Sequence, residues 1–300
     1  MKRFIIWISI MALTVAVIDI LIGLTFDHYV RNNTLPGDYE SIEKVLRNDD
    51  ADILVLGSSV ALNSIDTKVL EDSLGVKTFN GGGNGQAFPF FLTMLKAAIE
   101  QKVSEKVILC VQPGAFSSTG LGRYNLLVPY YGLGISDIDE KMSNNRKYDK
   151  YLLKITSYKL NKIWFRILLY HFISPGIKGE NGYIGKPVPP SFPSKLPLNI
   201  DSITEERHSE FLEFLQICAH YNIDLKIVFT PLYNDITIEN ENKNVISQVT
   251  ELSSHYNFEV YNDIELEPFA SDSTLFYDNS HININGTNIY TRIILNRINQ

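Results

Sequence analysis

Five short apolar runs, interleaved with helix-patterned stretches, constrain this chain more than any other feature. The runs are Asp52–Leu56, Val76–Asn80, Lys106–Val111, Leu225–Phe229 and Phe258–Tyr261. Around them, Lys68–Leu74, Phe90–Gln101, Glu205–Tyr221, Asn244–His255 and Ile284–Asn299 carry apolar residues at helical spacing. A strand that is apolar at nearly every position is buried on both faces. Strands that alternate with helices form a parallel sheet covered on both sides. An α/β fold is therefore expected. Ligands of such sheets bind beyond the carboxyl ends of the strands, so the residues that follow each run are where chemistry should be sought.

A different kind of run opens the chain. After Met1-Lys2-Arg3, residues Phe4 to Leu24 are almost unbroken apolar, with Asp19 as the one charge. That matches the roughly 20 residues a helix needs to cross a bilayer. A cleavable signal peptide has a shorter core, about 7–15 residues, ending at an Ala-x-Ala-like site. Ile20-Leu21-Ile22-Gly23-Leu24-Thr25-Phe26 offers no such site, so residues 4–25 read as an uncleaved signal anchor. Lys2 and Arg3 should stay in the cytoplasm, placing residues from about 27 onward outside it. No second span is expected: Phe165–Ile173 is too short and carries Arg166 and His171.

Residues 26–50 read as a connecting arm with a short helix around Tyr39–Arg47, and 51–300 as the α/β domain. The formal net charge of −7 argues against a nucleic-acid partner, which needs a basic face. Cys110 lies in a strand pattern and Cys218 in a helix pattern. They read as two buried structural thiols, although a disulfide in an extracytoplasmic compartment cannot be judged from sequence. From about 115 to 200 the alternation breaks. This insertion holds Tyr124, Tyr130, Tyr131, Tyr148, Tyr151, Tyr158, Trp164, Phe165, Tyr170, Phe172 and Tyr183, and ends in Lys186-Pro187-Val188-Pro189-Pro190. It reads either as a cover over the open end of the sheet or as helical filler without substrate contact.

Two segments carry the chemistry. Gly57-Ser58-Ser59 follows the first strand, where a Ser is held on rigid scaffold. Asp278-Asn279-Ser280-His281 lies near the other end of the chain. An Asp three residues before a His can orient the imidazole, while the other ring nitrogen takes a serine proton. Taken alone, Gly57-Ser58-Ser59 is a common strand ending. Its company is Asn80-Gly81-Gly82-Gly83-Asn84-Gly85 after the second strand, where glycines let amide N–H groups converge on an anion. That turn reads as an oxyanion site or simply as a tight turn. It is not a phosphate loop, because no Gly-Lys-Ser/Thr follows and Gly-x-Gly-x-x-Gly is absent. A metal role for His281 ranks low, since no His-x-x-x-His or Cys cluster accompanies it.

These segments resemble the first, second and fifth blocks of the SGNH (GDSL-like) hydrolase superfamily: Gly57-Ser58-Ser59, Asn80-x-Gly82 and Asp278-x-x-His281. The pattern is similar to that of the membrane-anchored, cell-envelope branch, which includes alginate O-acetylation and teichoic-acid D-alanylation proteins. It covers about residues 50–112 and 205–298. The resemblance implies a three-layer α/β/α, flavodoxin-like sheet and no cofactor. It also implies Ser59 as nucleophile, His281 as base, Asp278 as its orienter, and the N–H groups of Ser59 and Gly82 as oxyanion donors. Ser58 stands where many members carry Asp. The third block, Gly-x-Asn-Asp, is missing: the chain reads Gln112-Pro113-Gly114-Ala115-Phe116 after the third strand. Gln112 could supply an oxyanion donor in place of the missing Asn.

The expected function is serine-dependent acyl transfer outside the cytoplasm, as an esterase or O-acetyltransferase on a cell-envelope glycan. The same triad serves both, because they differ only in the acceptor. The expected partners are an acylated or acyl-accepting polysaccharide, a membrane-bound O-acyltransferase, and the membrane itself through one helix. The alternative expectation is a non-catalytic scaffold of the same fold that binds a glycan or the acyltransferase.

Overall fold

The computed structural model describes residues 1–32, 38–47, 51–117, 122–145, 149–160, 182–189, 202–233 and 240–299. The aromatic residues Tyr148, Trp164, Phe165, Tyr170 and Phe172, and the end of the Pro-rich stretch, lie outside them. In chain order the first elements are α1 (Lys2–Asn32), α2 (Asp38–Arg47), β1 (Ile53–Gly57), α3 (Ser59–Ser64), α4 (Thr67–Leu74), β2 (Thr78–Asn80), α5 (Phe88–Gln101) and β3 (Lys106–Val111). Then come α6 (Gly114–Ser117), a 3-10 stretch at Tyr124–Tyr130, α7 (Ser136–Asn144), a 3-10 turn at Leu152–Lys154 and α8 (Thr156–Leu160). The chain closes with α9 (Glu205–His220), β4 (Asp224–Phe229), α10 (Asn240–Ser254), β5 (Glu259–Asn262) and α11 (Ile284–Ile298). By contacts the chain divides into two compact units, residues 1–39 with 125–176 and residues 40–124 with 177–300.

The second unit holds one sheet of five strands, ordered β2-β1-β3-β4-β5 and parallel throughout. This is the doubly wound order whose chain reversal lies between β1 and β3. Ile53 pairs with Thr78 on one side and Lys106 on the other, and the register runs on to Gly57 opposite Cys110. Every residue of β1 is buried, as its apolar run requires. Of the two edge strands, β2 is buried and β5 is only partly covered. There Lys226 Nζ donates to Glu259 Oε1 (2.8 Å), and the Arg297 guanidinium lies 4.4 Å from the centre of the Tyr261 ring. Charged pairing of this sort blunts an exposed edge.

Alternation along the strands sends side chains to two opposite layers. Ile53, Val55, Ile108, Cys110 and Val228 share a core with Phe269, Phe276, Tyr290 and Ile294, under α3, α4 and α11. α5 packs with α9, bringing Phe88 within 5.7 Å of the Phe91 and Phe211 rings, both edge-to-face. Phe116 meets Phe211 at 5.3 Å, also edge-to-face. Such pairs add about 0.5–1.5 kcal/mol each beyond area burial. Cys110 and Cys218 are buried and unpaired. Burial pushes both thiols well above the usual range, so they stay protonated and inert.

In the first unit, α1 contains a stretch, Lys2–Phe26, long and apolar enough to cross a membrane. The side chains of its apolar residues are exposed over most of that length.

Candidate active site

β1 passes into α3 without a loop. Gly57, at φ +147°, makes the corner. A Cβ at that position would lie 2.0 Å from the Cys110 carbonyl oxygen, so only glycine allows the strand to bend this close to β3. Ser58 caps α3, its Oγ accepting from Val60 N (3.5 Å). Ser59 is the first helical residue, where a backbone N–H has no carbonyl a turn earlier to bond. This places both its hydroxyl and its amide at the carboxyl edge of the sheet.

Residues 222 positions later meet it. Ser59 Oγ lies 2.6 Å from His281 Nε2. His281 Nδ1 lies 2.8 and 2.9 Å from the two Asp278 oxygens. Because Asp278 only accepts, Nδ1 carries the proton, and Nε2 is left as the acceptor for Ser59. Asp278 Oδ1 also accepts the N–H groups of Ser280 (3.0 Å) and His281 (2.9 Å). Burial alone would raise this carboxyl. The imidazole hydrogen bond and charge and the two backbone donors outweigh it and hold Asp278 at about 2.

The turn carrying His281 is pinned on both sides. Tyr277 N donates to His281 O (2.8 Å), and Phe276 bridges Ile282. Beyond it, the buried Asn283 caps α11, accepting from Asn285 N (3.0 Å) and Gly286 N (3.2 Å). Its amide donates to Thr274 O (2.8 Å) and Phe276 O (3.0 Å). Thr287 Oγ1 donates to Asn63 O (2.8 Å), tying α11 to the helix that bears Ser59.

The glycine turn after β2 is zipped onto β1: Gly81 N donates to Val55 O (2.8 Å) and Gly83 N to Gly57 O (3.1 Å). Asn80 is a strut rather than a substrate group. It is buried, and its amide donates to Ala61 O (2.8 Å) and Ile65 O (3.1 Å). Its Oδ1 accepts the Gly82 N–H (3.0 Å). Gly82 is thus engaged inside the turn and does not reach the cavity beside Ser59. Gly85 does reach it, at φ +64°.

That cavity, of about 310 Å³, is lined by Ser58, Ser59, Gly85, Gln86, Ala87, Gln112, Gly114, Ala115 and Gly122. Among the described residues, none that lines it carries an ionisable side chain. Gln112 borders it, but its Nε2 donates to Ser280 O (3.3 Å), bracing the Asp278–His281 turn. Sequence reasoning missed Gln86, which is 6% exposed and lines the cavity. Neither end of its amide has a hydrogen-bond partner among the described residues. Such a buried, unmatched amide is costly and uncommon. The only sequence signal was its place directly after the glycine turn.

No protein-family model matches this sequence, and no curated protein does. Solved structures similar to it include a protein classed as lipolytic, of the G-D-S-L family, from Desulfitobacterium hafniense. It has 8% identity and a TM-score of 0.45, covering 81% of this chain and 97% of that one. The lipase/acylhydrolase from Enterococcus faecalis has 11% identity and a TM-score of 0.44, covering 82% and 94%. The psychrotrophic esterase EstA from Pseudoalteromonas sp. has 14% identity and a TM-score of 0.43, covering 82% and 96%.

Proposed function

We propose that this protein is a serine-dependent acyl-transfer enzyme acting on small, uncharged acyl esters. The observation that carries the reading is the unbroken line from Asp278 through His281 to the Ser59 hydroxyl, opening onto a cavity whose described lining residues are uncharged. Ser59 Oγ attacks the ester carbonyl and His281 Nε2 takes its proton. Asp278 holds the ring and stabilises the imidazolium. The tetrahedral oxyanion is met by the N–H of Ser59, at the start of α3 beside the cavity that Gly85 of the glycine turn also lines. One well-placed donor of this kind is worth about 10²–10³ in rate. As the tetrahedral adduct collapses, His281 returns the proton to the departing alkoxide, leaving an acyl-Ser59 ester. Water or a second hydroxyl then attacks that ester by the same steps in reverse.

Gln86 completes the reading. Its two amide atoms are buried and unmatched beside the cavity; turned into it, they would offer a donor and an acceptor to a hydroxyl next to the ester. This supports an acetylated or acetyl-accepting glycan. The basic residues Lys2 and Arg3 ahead of the apolar stretch of α1 support a single-pass anchor with the site outside the cytoplasm.

The test is hydrolysis of p-nitrophenyl acetate by the full chain in detergent, set beside Ser59→Ala, with fluorophosphonate labelling as a second readout. We expect labelling of the parent alone, and at least about a 10³-fold loss in rate for the variant. Equal rates and no labelling would leave the fold as a binding scaffold.

A further inference from the structure

The apolar helix α1 is not bare on all sides. Exposure falls at Asp19, Ile22, Gly23 and Phe26, positions spaced three and four apart that share one helix face. The short helix α8 lies against it. Asp19 Oδ2 accepts from Thr156 N (2.9 Å) and Oδ1 from Ser157 N (2.7 Å). Gly23 makes the approach feasible, since a Cβ there would come within 3.1 Å of Thr156 Oγ1.

The depth of this clamp is the informative point. Asp19 lies five residues before Leu24, where the apolar run ends, which is roughly 7–8 Å along a helix that rises about 1.5 Å per residue. If α1 crosses a bilayer, whatever Asp19 grips is held below the level at which the span leaves the hydrocarbon.

The gripped segment is built for such a place. Leu153 and Leu160 are buried, while Tyr151, Leu152, Ile155 and Tyr158 are 69%, 39%, 41% and 39% exposed. Lys150 and Lys154 are exposed among them. Lys159 Nζ folds back to donate to Tyr131 O (2.7 Å). Aliphatic side chains flanked by tyrosines and by lysines that can reach outward are the make-up of a bilayer interface.

We propose that Tyr151–Leu160 is a second, interfacial membrane element. It would lie in the leaflet facing away from Lys2 and Arg3, held at fixed depth by Asp19, with phospholipid covering Tyr151, Leu152, Ile155 and Tyr158. This rests on reading α1 as a membrane span and is independent of the acyl-transfer chemistry. A helix alone can rotate and slide in the bilayer, whereas a helix with a side element clamped to it has one rotation and one depth.

The test uses the full chain in phosphatidylcholine vesicles, with an environment-sensitive fluorophore on Ile155→Cys or, as a depth reference, on Val15→Cys. The native thiols are buried, so the introduced one takes the label. We expect the Ile155 probe to be blue-shifted, quenched about twofold or more by lipid spin-labelled near the headgroup, and protected from aqueous iodide. Adding Asp19→Leu should restore iodide quenching at Ile155 while leaving the Val15 probe in lipid. If iodide quenches the Ile155 probe and lipid does not, with Val15 still in lipid, the proposal is overturned and the span stands; a protein partner would then be the natural cover for this face. If Val15 also reports water, both the span and the proposal fall. If Asp19→Leu changes nothing at Ile155, the clamp is overturned.

Discussion

At the scale of single residues, Asp278 and Gln86 pull in opposite directions. Asp278 is oversupplied with donors, Gln86 undersupplied. Asp278→Asn removes the charge that sets the imidazole tautomer, and kcat should fall by about 10²–10⁴ with little change in KM, measured with p-nitrophenyl acetate. The same carboxyl makes a pH prediction. Its folded value is depressed from 3.8 to about 2, so its contribution to stability is complete above the unfolded value and is lost as pH falls through about 2. Thermal melts of the parent and Asp278→Asn should therefore differ at neutral pH and converge between pH 3.8 and about 2. A gap that persists unchanged across that window would show that the charge is not what stabilises the turn. For Gln86→Ala we expect KM for an acetylated sugar to rise about 5- to 20-fold, with p-nitrophenyl acetate, which has no neighbouring hydroxyl, nearly unaffected. Equal losses on both substrates would remove Gln86 from substrate binding. None of this was visible in the sequence for Gln86, because a glutamine after a glycine turn is ordinary until the fold buries it beside a serine. Asn80 is the opposite case: it sits in a suggestive segment, but its amide is consumed in joining that segment to α3 and the residue that follows it.

At the scale of elements, the strands and long helices were legible because their apolar runs must be buried. The ends of β1, β3 and β4 fall within a residue of expectation. The short helices α3 and α6 were not, since six and four residues are too few to show a period. Both are held where they leave the sheet, and α3 also by its Ser58 cap, rather than by their own composition. Two substitutions test these junctions. Gly57→Ala would force a Cβ onto the Cys110 carbonyl and require a left-handed conformation, so we expect at least about 3 kcal/mol of destabilisation by urea titration. Asn283→Ala removes the cap of α11 together with the two hydrogen bonds that its amide donates to Thr274 O and Phe276 O, and should cost about 2–4 kcal/mol. Its activity should fall even in the population that remains folded, read as a lower kcat on fluorophosphonate-titrated sites.

At the scale of the whole molecule, the parallel order β2-β1-β3-β4-β5 gathers three loop ends at one edge of the sheet: Ser59 after β1, the glycine turn after β2 and Gln112 after β3. The insertion between β3 and β4 defeated the sequence pattern because its aromatic residues follow no single period, and much of it lies outside the described residues. The anchor reading makes a prediction of its own. A reporter active only outside the cytoplasm, fused after Gln300, should be active, and moving Lys2 and Arg3 to follow Phe26 should reduce that activity. A reporter silent in the first fusion would place the site on the other side. Finally, the 222 residues that separate Ser59 from His281 have a consequence in time. While the chain is being made, the nucleophile is exposed long before its base exists, and Ser59 is then an ordinary alcohol. On the proposed chemistry the hydroxyl becomes reactive only when the segment carrying His281 has docked, so the unfinished chain would not acylate itself. On that reading, ester cleavage would be a mark of complete folding.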